Sequence, residues 1–171
     1  MTLDIQHTFD EQTYRHFLNG FNFVLHCHHY MTLTTKLAQD FDGIGGTRIL
    51  CETAEDTIRP VLDDYIRKHG ISAPAERLSV GAAFYSLMGM GTMEATGSAE
   101  GGTATLPRSH VDQGWLKKWG PHTSAVNHFS RGYIAAVFGA AFDKPPRSYQ
   151  VTETASIVAG APVGEFRVGK A

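Results

Sequence analysis

A chain of 171 residues, 42% hydrophobic and 19% charged, is long enough for one self-sufficient core and short for two. Its net charge of −2 and the lack of any basic cluster beyond Lys117-Lys118 exclude a phosphate-tracking nucleic-acid surface. No apolar run approaches the ~18 residues of a membrane span, and Met1-Thr2-Leu3-Asp4-Ile5-Gln6-His7 carries no basic or apolar leader pattern, so no membrane partner is expected.

In chain order, Asp10 to Leu18 reads as a short helix with Asp10 as N-cap and Gly20 past its end. Phe23 to Asp40 reads as a long helix, because Phe23, Cys27, Tyr30, Thr34, Leu37 and Phe41 recur at alternating spacings of four and three. Asp42-Gly43-Ile44-Gly45-Gly46 breaks the pattern. It lacks the lysine of a phosphate-cradling loop and is expected to be a plain connector. A second long helix is predicted from Thr53 to His69, with Ala54, Ile58, Val61, Leu62 and Tyr65 on its buried face and a kink or restart at Pro60. Gly70 stands at its C-terminal cap position. Pro74 opens a third helix through Leu78, Gly81, Ala82, Phe84, Tyr85 and Met88, whose small residues allow close approach to a neighbour.

The pattern changes at Gly89-Met90-Gly91. Thr92 to Thr96 and Thr103 to Leu106 read as a hairpin around Gly97 to Gly102. A short helix is predicted from Val111 to Trp119, then a long apolar one from Ala125 to Phe142, capped by Thr123 or Ser124 and ended by Pro145-Pro146. Strands over Ser148 to Val158 and Glu165 to Val168 close the chain. The expected class is α+β, with a helical half over 1–90 and a hairpin–helix–hairpin core over 91–171 within one domain. Cys27 and Cys51 are expected as free thiols, and the chain as cytoplasmic.

Ala125-Val126-Asn127-His128-Phe129-Ser130-Arg131-Gly132-Tyr133-Ile134-Ala135 resembles the signature helix of the 4-vinyl-reductase (hydrocarbon-binding) domain family. Glu153-Thr154-Ala155-Ser156, Gly160, Gly164 and Phe166 resemble its downstream motif, and the region covered is about 106–168. The helical half is similar in layout to the ligand-sensing part of aromatic-responsive bacterial activators. The resemblance implies a small-molecule or hydrocarbon binder, often dimeric. The chain has no length for the ATPase and DNA-binding domains of sensor members, so a stand-alone binder or an enzyme is expected. Sensor members hold zinc with three cysteines and a glutamate. Those positions here are Asn127, Glu153, Ser156 and Gly164, so the zinc site is expected to be lost, with Glu153 bonding Asn127 or Ser156 and Ile157, Val158, Phe166 and Val168 packing the last hairpin.

The string His26-Cys27-His28-His29-Tyr30 admits two readings. On a helix, His26 and His29 form an i, i+3 pair that, with His128, lines a shared cavity, or that binds a transition metal with a third ligand from among His128, His122, His110, Cys51 and Glu52. The alternative is ordinary helix filling. The ligand-binding set expected from the sequence is His26, His29, Tyr30, Phe84, Tyr85, Trp115, Asn127, His128, Phe129 and Tyr133, with Phe23 in the wall. The expected partner is a small apolar or aromatic ligand. The rival reading is a metal- or histidine-dependent enzyme on a small aromatic or tetrapyrrole. Apolar surface on the early helices and the glycine-bearing third helix predicts a homodimer.

Overall fold

A computed structural model describes residues 2–24 and 26–171, apart from the side chain of His28. Met1, Leu25 and the His28 side chain, which figure in the N-terminal and histidine readings, lie outside the described residues.

Where a helix was expected over 10–18, the chain forms a meander of β1 (His7–Asp10), β2 (Arg15–Leu18) and β3 (Phe21–Phe23). Local side-chain chemistry explains the difference. The Asp10 carboxylate accepts from Gln12 N at 2.9 Å and from the Thr13 hydroxyl at 2.6 Å, closing an Asx turn where a helix cap was expected. Asn19 and Gly20 both have positive φ, 50° and 87°, the two-residue turn whose twist suits a hairpin. Pairing of His16 with Phe23 and of Leu18 with Phe21 follows. Helix α1 (His28–Asp40) therefore starts later than Phe23, whose backbone is committed to the meander.

A 3-10 turn over Asp42–Ile44 leads into α2 (Gly46–Lys68), which begins well before Thr53. The glycines allow this. Gly45 has φ 87°, and a Cβ on Gly46 would lie 2.4 Å from the Ala38 carbonyl oxygen. The helix continues through Pro60 without the expected restart. α3 (Pro74–Leu87) matches its expectation, with proline in the first turn.

β4 (Gly91–Ser98) and β5 (Gly101–Ser109) make a longer hairpin than the sequence suggested. α4 (His110–Trp119) is capped by Ser109, whose Oγ accepts from Asp112 N at 3.3 Å. α5 (His128–Ala141) is capped by Asn127, not by Thr123 or Ser124. β6 (Tyr149–Ala155) ends before the expected Val158, which lies in a 3-10 turn, and β7 (Gly164–Lys170) runs past Val168. The second sheet has the antiparallel order β4-β5-β7-β6.

The class is α+β, helices packed with antiparallel sheets. α5 is the central element, buried along almost its whole length between α2, α3 and β6. Its glycines and those facing it set the spacing. A Cβ on Gly132 would fall 1.9 Å from the Cys51 carbonyl oxygen, and one on Gly81 would fall 2.5 Å from the Val137 side chain. Val158, Phe166 and Val168 are buried, as expected for the last hairpin, while Ile157 is half-buried. Among the described residues, no helix is long and apolar enough to cross a membrane.

Candidate ligand-binding site

The meander closes one side of a cavity of about 400 Å³ whose other walls are α2, α3 and one residue of α5. Phe21, Phe23 and Leu18 face it from the meander, Ile58, Val61, Leu62 and Tyr65 from α2, Phe84 and Met88 from α3, and Tyr133 from α5. Helical spacing puts the α2 residues on one face, because 58, 61, 62 and 65 recur at three and four. Three other depressions have larger volumes, about 810, 520 and 440 Å³, but are more open to solvent.

Tyr65 organises the cavity. Its ring stands edge-on to Phe84 at 5.1 Å and lies tilted against His69 at 4.2 Å. Its hydroxyl oxygen accepts from Asp4 N at 2.9 Å, leaving the hydroxyl hydrogen to donate. Asn19 accepts from Gln6 N at 2.7 Å, and Asn19 N donates to Gln6 O at 2.8 Å. These bonds tie the segment of residues 4–6, which precedes β1, to the β2–β3 turn above the cavity. Asp64, held by Lys68 at 2.8 Å and by Arg67, and His69 supply the polar rim. Apolar walls with few convergent polar groups are suited to hold and orient a small molecule.

A second cluster is buried beyond Tyr133. The Tyr133 hydroxyl donates to Gly81 O at 2.8 Å, and its ring meets Tyr85 edge-on at 5.0 Å. The Tyr85 hydroxyl bonds Ser130 Oγ at 2.8 Å, and burial pushes the Tyr85 pKa well above its usual value. Asn127 is the hub. Its amide nitrogen donates to Ser109 Oγ at 2.9 Å and to Asp112 Oδ2 at 2.7 Å, its backbone N–H donates to Glu153 Oε2 at 3.0 Å, and its side-chain oxygen caps Ser130 N.

Burial raises the Asp112 pKa, and burial together with repulsion from Asp112 pushes Glu153 up to about 7, against a pull downward from the nearby Ser156 hydroxyl. Asp112 Oδ1, Glu153 Oε1 and Ser156 Oγ nonetheless make no hydrogen bond of good geometry. This donor set does not fit zinc. Asn127 presents its N–H groups to its neighbours, Gly164 has no side chain, and a serine hydroxyl is a poor ligand.

Of the residues named from the sequence, Phe84, Tyr133 and Phe23 line the cavity. Tyr85 and Phe129 touch Tyr133 from behind, at 5.0 and 6.4 Å. Asn127 sits in the polar cluster. Trp115 packs apart with Val126 and Val158, its indole N–H without an acceptor. His128 is buried. Its Nδ1 faces Arg131 at 3.2 Å and its Nε2 has no partner, and burial, with Arg131 adding to it, holds its pKa down at about 4. His26, His29 and Tyr30 are exposed, and the His26 ring lies 6.0 Å from Tyr30 and 6.4 Å from His110. Among the described residues, no three His, Cys, Asp or Glu side chains gather as a metal site requires.

Several residues here escaped the sequence reading. The Asn19-Gly20 pair is a hairpin signal and would have placed Phe21 at the cavity. Asp112 was not singled out; Ser109-x-x-Asp112 has the spacing of a capping box, which signals the start of α4 but not the bonds of both residues to Asn127.

The fold recurs in a protein of known structure. It superposes on the phenol-responsive sensory domain of the transcription activator PoxR, solved with phenol, at a TM-score of 0.76 over 96% of this chain and 84% of that one, at 13% identity. That likeness is one of fold. No family model matches the sequence, and no curated protein matches it.

Proposed function

We propose that this chain is a small-molecule binding module of the ligand-sensing kind, taking a small apolar or aromatic ligand into the cavity between the meander, α2, α3 and α5. The cavity itself carries the reading. Its volume of about 400 Å³ suffices for a small molecule, and its enclosure by Phe21, Phe23, Tyr65, Phe84 and Tyr133, with polar groups at the rim, sets it apart from the more open depressions. The shared fold with a phenol-responsive sensory domain supports it.

Phe84, Tyr133 and Phe23 form the wall with Val61, Leu62 and Tyr65, and the free hydrogen of the Tyr65 hydroxyl orients a polar substituent. Tyr85 and Phe129 buttress Tyr133 from outside. In this reading residues 1–90 and 91–171 form one 4-vinyl-reductase-like domain. The position of Asn127, Glu153, Ser156 and Gly164 works without metal, held by the Asn127 hydrogen bonds. Metal analysis tests that point directly: stoichiometric zinc that disappears in Glu153→Ala overturns it.

Calorimetric titration with phenol and with toluene tests the cavity. The chain binds at least one of them, and Val61→Trp, which fills the space from a half-buried position, weakens binding by more than about tenfold, or about 1.4 kcal/mol, with unchanged circular dichroism. Equal binding by both proteins, or none by the parent chain, contradicts the reading.

A further inference from the structure

The β1–β2 hairpin carries a histidine pair that the ligand cavity does not use. Directly opposed residues share a face of a sheet. Phe9 opposes His16 and His7 opposes Leu18, so all four lie on one face and the two histidines are diagonal neighbours. His7 Nε2 stands 2.9 Å from His16 Nδ1, and the rings are nearly parallel, 14° apart in plane and 5.1 Å between centres. Phe9 leans on the His16 ring at 4.7 Å, and Tyr14 meets Phe9 edge-on at 6.4 Å, which steadies the His16 ring. Leu18 lines the cavity, but neither histidine does.

We infer that His7 Nε2 and His16 Nδ1 form a two-nitrogen chelate for a late first-row divalent cation, Cu2+ above all. The distance selects the ion. Two metal–nitrogen bonds of about 2.0 Å at a right angle bring their nitrogens about 2.8 Å apart, whereas the tetrahedral angle of zinc spreads them to about 3.3 Å. The separation of 2.9 Å fits the cis edge of a square-planar or tetragonal site, the geometry of Cu2+ and Ni2+, and Cu2+ heads the affinity order of the divalent series.

Without metal, one ring donates its N–H to the other. To bind metal, the donating ring carries its proton on its far nitrogen instead. That tautomer change releases no proton and gives up one exposed hydrogen bond. The charged side chains of the hairpin lie elsewhere. Asp10 opposes Arg15 on the other face, and the Asp10 carboxylate is engaged by Gln12 N and the Thr13 hydroxyl. Among the described residues, no third His, Cys, Asp or Glu joins the pair. The site is therefore an open one, with two imidazoles from the chain and water at the remaining positions, unlike a closed structural site. His7 is exposed and His16 half-buried, which leaves room for that water. The inference is independent of the ligand reading, because ion and ligand use different residues.

The test uses the full chain, stripped of metal with a chelator, in a Cys27→Ser background, so that the exposed thiol neither binds nor reduces copper. Calorimetric titration with Cu2+ near neutral pH should show one ion per chain, with a Kd on the order of 10 μM. Zn2+ should bind at least about tenfold more weakly. Electron paramagnetic resonance of the copper-loaded chain should show a tetragonal centre coupled to two imidazole nitrogens, a readout that needs no variant. His7→Gln and His16→Gln should each weaken Cu2+ binding at least about tenfold with unchanged circular dichroism, and the double variant should bind no more weakly than either, since losing one arm already destroys a chelate. His26→Gln combined with His29→Gln should bind as the parent does. The inference is overturned by the absence of saturable one-to-one binding, by a spectrum without two nitrogens, or by Zn2+ binding as tightly as Cu2+. Binding kept in both single variants, or lost in the His26 and His29 variant instead, overturns it equally.

Discussion

Asn127 meets four needs at once. It caps α5, fixes Ser109 and Asp112 at the start of α4, and donates its backbone N–H to Glu153 on β6. Asn127→Ala removes the cap and leaves Asp112 buried without its amide partner, so it should cost about 2–4 kcal/mol in chemical denaturation. A loss under about 1 kcal/mol would mean the cluster contributes little. Glu153 adds a pH signature. Its folded-state pKa of about 7 lies above the usual 4.5, so its stabilising contribution is complete below about 4.5 and is lost as pH rises through 7. His128 has the opposite sign. With its pKa lowered from 6.5 to about 4, it stabilises the fold above 6.5 and loses that contribution as pH falls toward 4. The two oppose each other in the parent, so the Glu153 effect is read from the difference between Glu153→Gln and parent. That difference should move in favour of glutamine by about 2–3 kcal/mol between pH 5 and pH 8. A difference independent of pH contradicts the assignment.

At the scale of elements, helix spacing rests on absent side chains. Gly132→Ala would drive a methyl into the Cys51 carbonyl, 1.9 Å away. The backbone there cannot swing aside as a flexible side chain would, so a loss of about 3 kcal/mol or more is expected in thermal melts. Arg147 ties the loop after α5 to α2. It reaches the buried Glu55 at 2.7 Å and Asp56 at 2.7 Å. Arg147→Ala leaves Glu55 only the backbone N–H of residue 147, which donates to it at 2.9 Å, and should cost about 2 kcal/mol, most of which Glu55→Gln in the same chain should restore. Absence of that rescue contradicts the pairing. Elements with strong punctuation were legible in the sequence. Pro74 opened α3, and the glycines at 97 and 101–102 bracketed the β4–β5 hairpin. The errors fell where turn chemistry competed with helical spacing. Asp10 and Gly20 serve equally as helix punctuation and as turn residues, and the Asn19-Gly20 pair settles the choice. Gly45 and Gly46 read as a break, but they are the tight corner that lets α2 begin.

For the whole molecule, the α+β class was legible because helical periods gave way to alternating strands near Gly89. The cavity was legible only in part. Periodicity placed Ile58, Val61, Leu62 and Tyr65 on the inner face of α2 but not what they face, since that depends on a meander misread as helix. Tyr30 illustrates the same gap. Helical spacing gives its stripe but not whether the stripe faces core or solvent, and here it faces solvent. The central claim, that a small aromatic molecule occupies the space between the meander, α2, α3 and α5, is tested most directly by methyl-resolved NMR during titration with phenol. Saturable shifts should concentrate on the methyl groups of Ile58, Val61, Leu62 and Met88, with those of Ile134, Val137 and Val158 moving little. Shifts centred on Val126 and Val158 beside Trp115, or no saturable shifts at all, would contradict the claim.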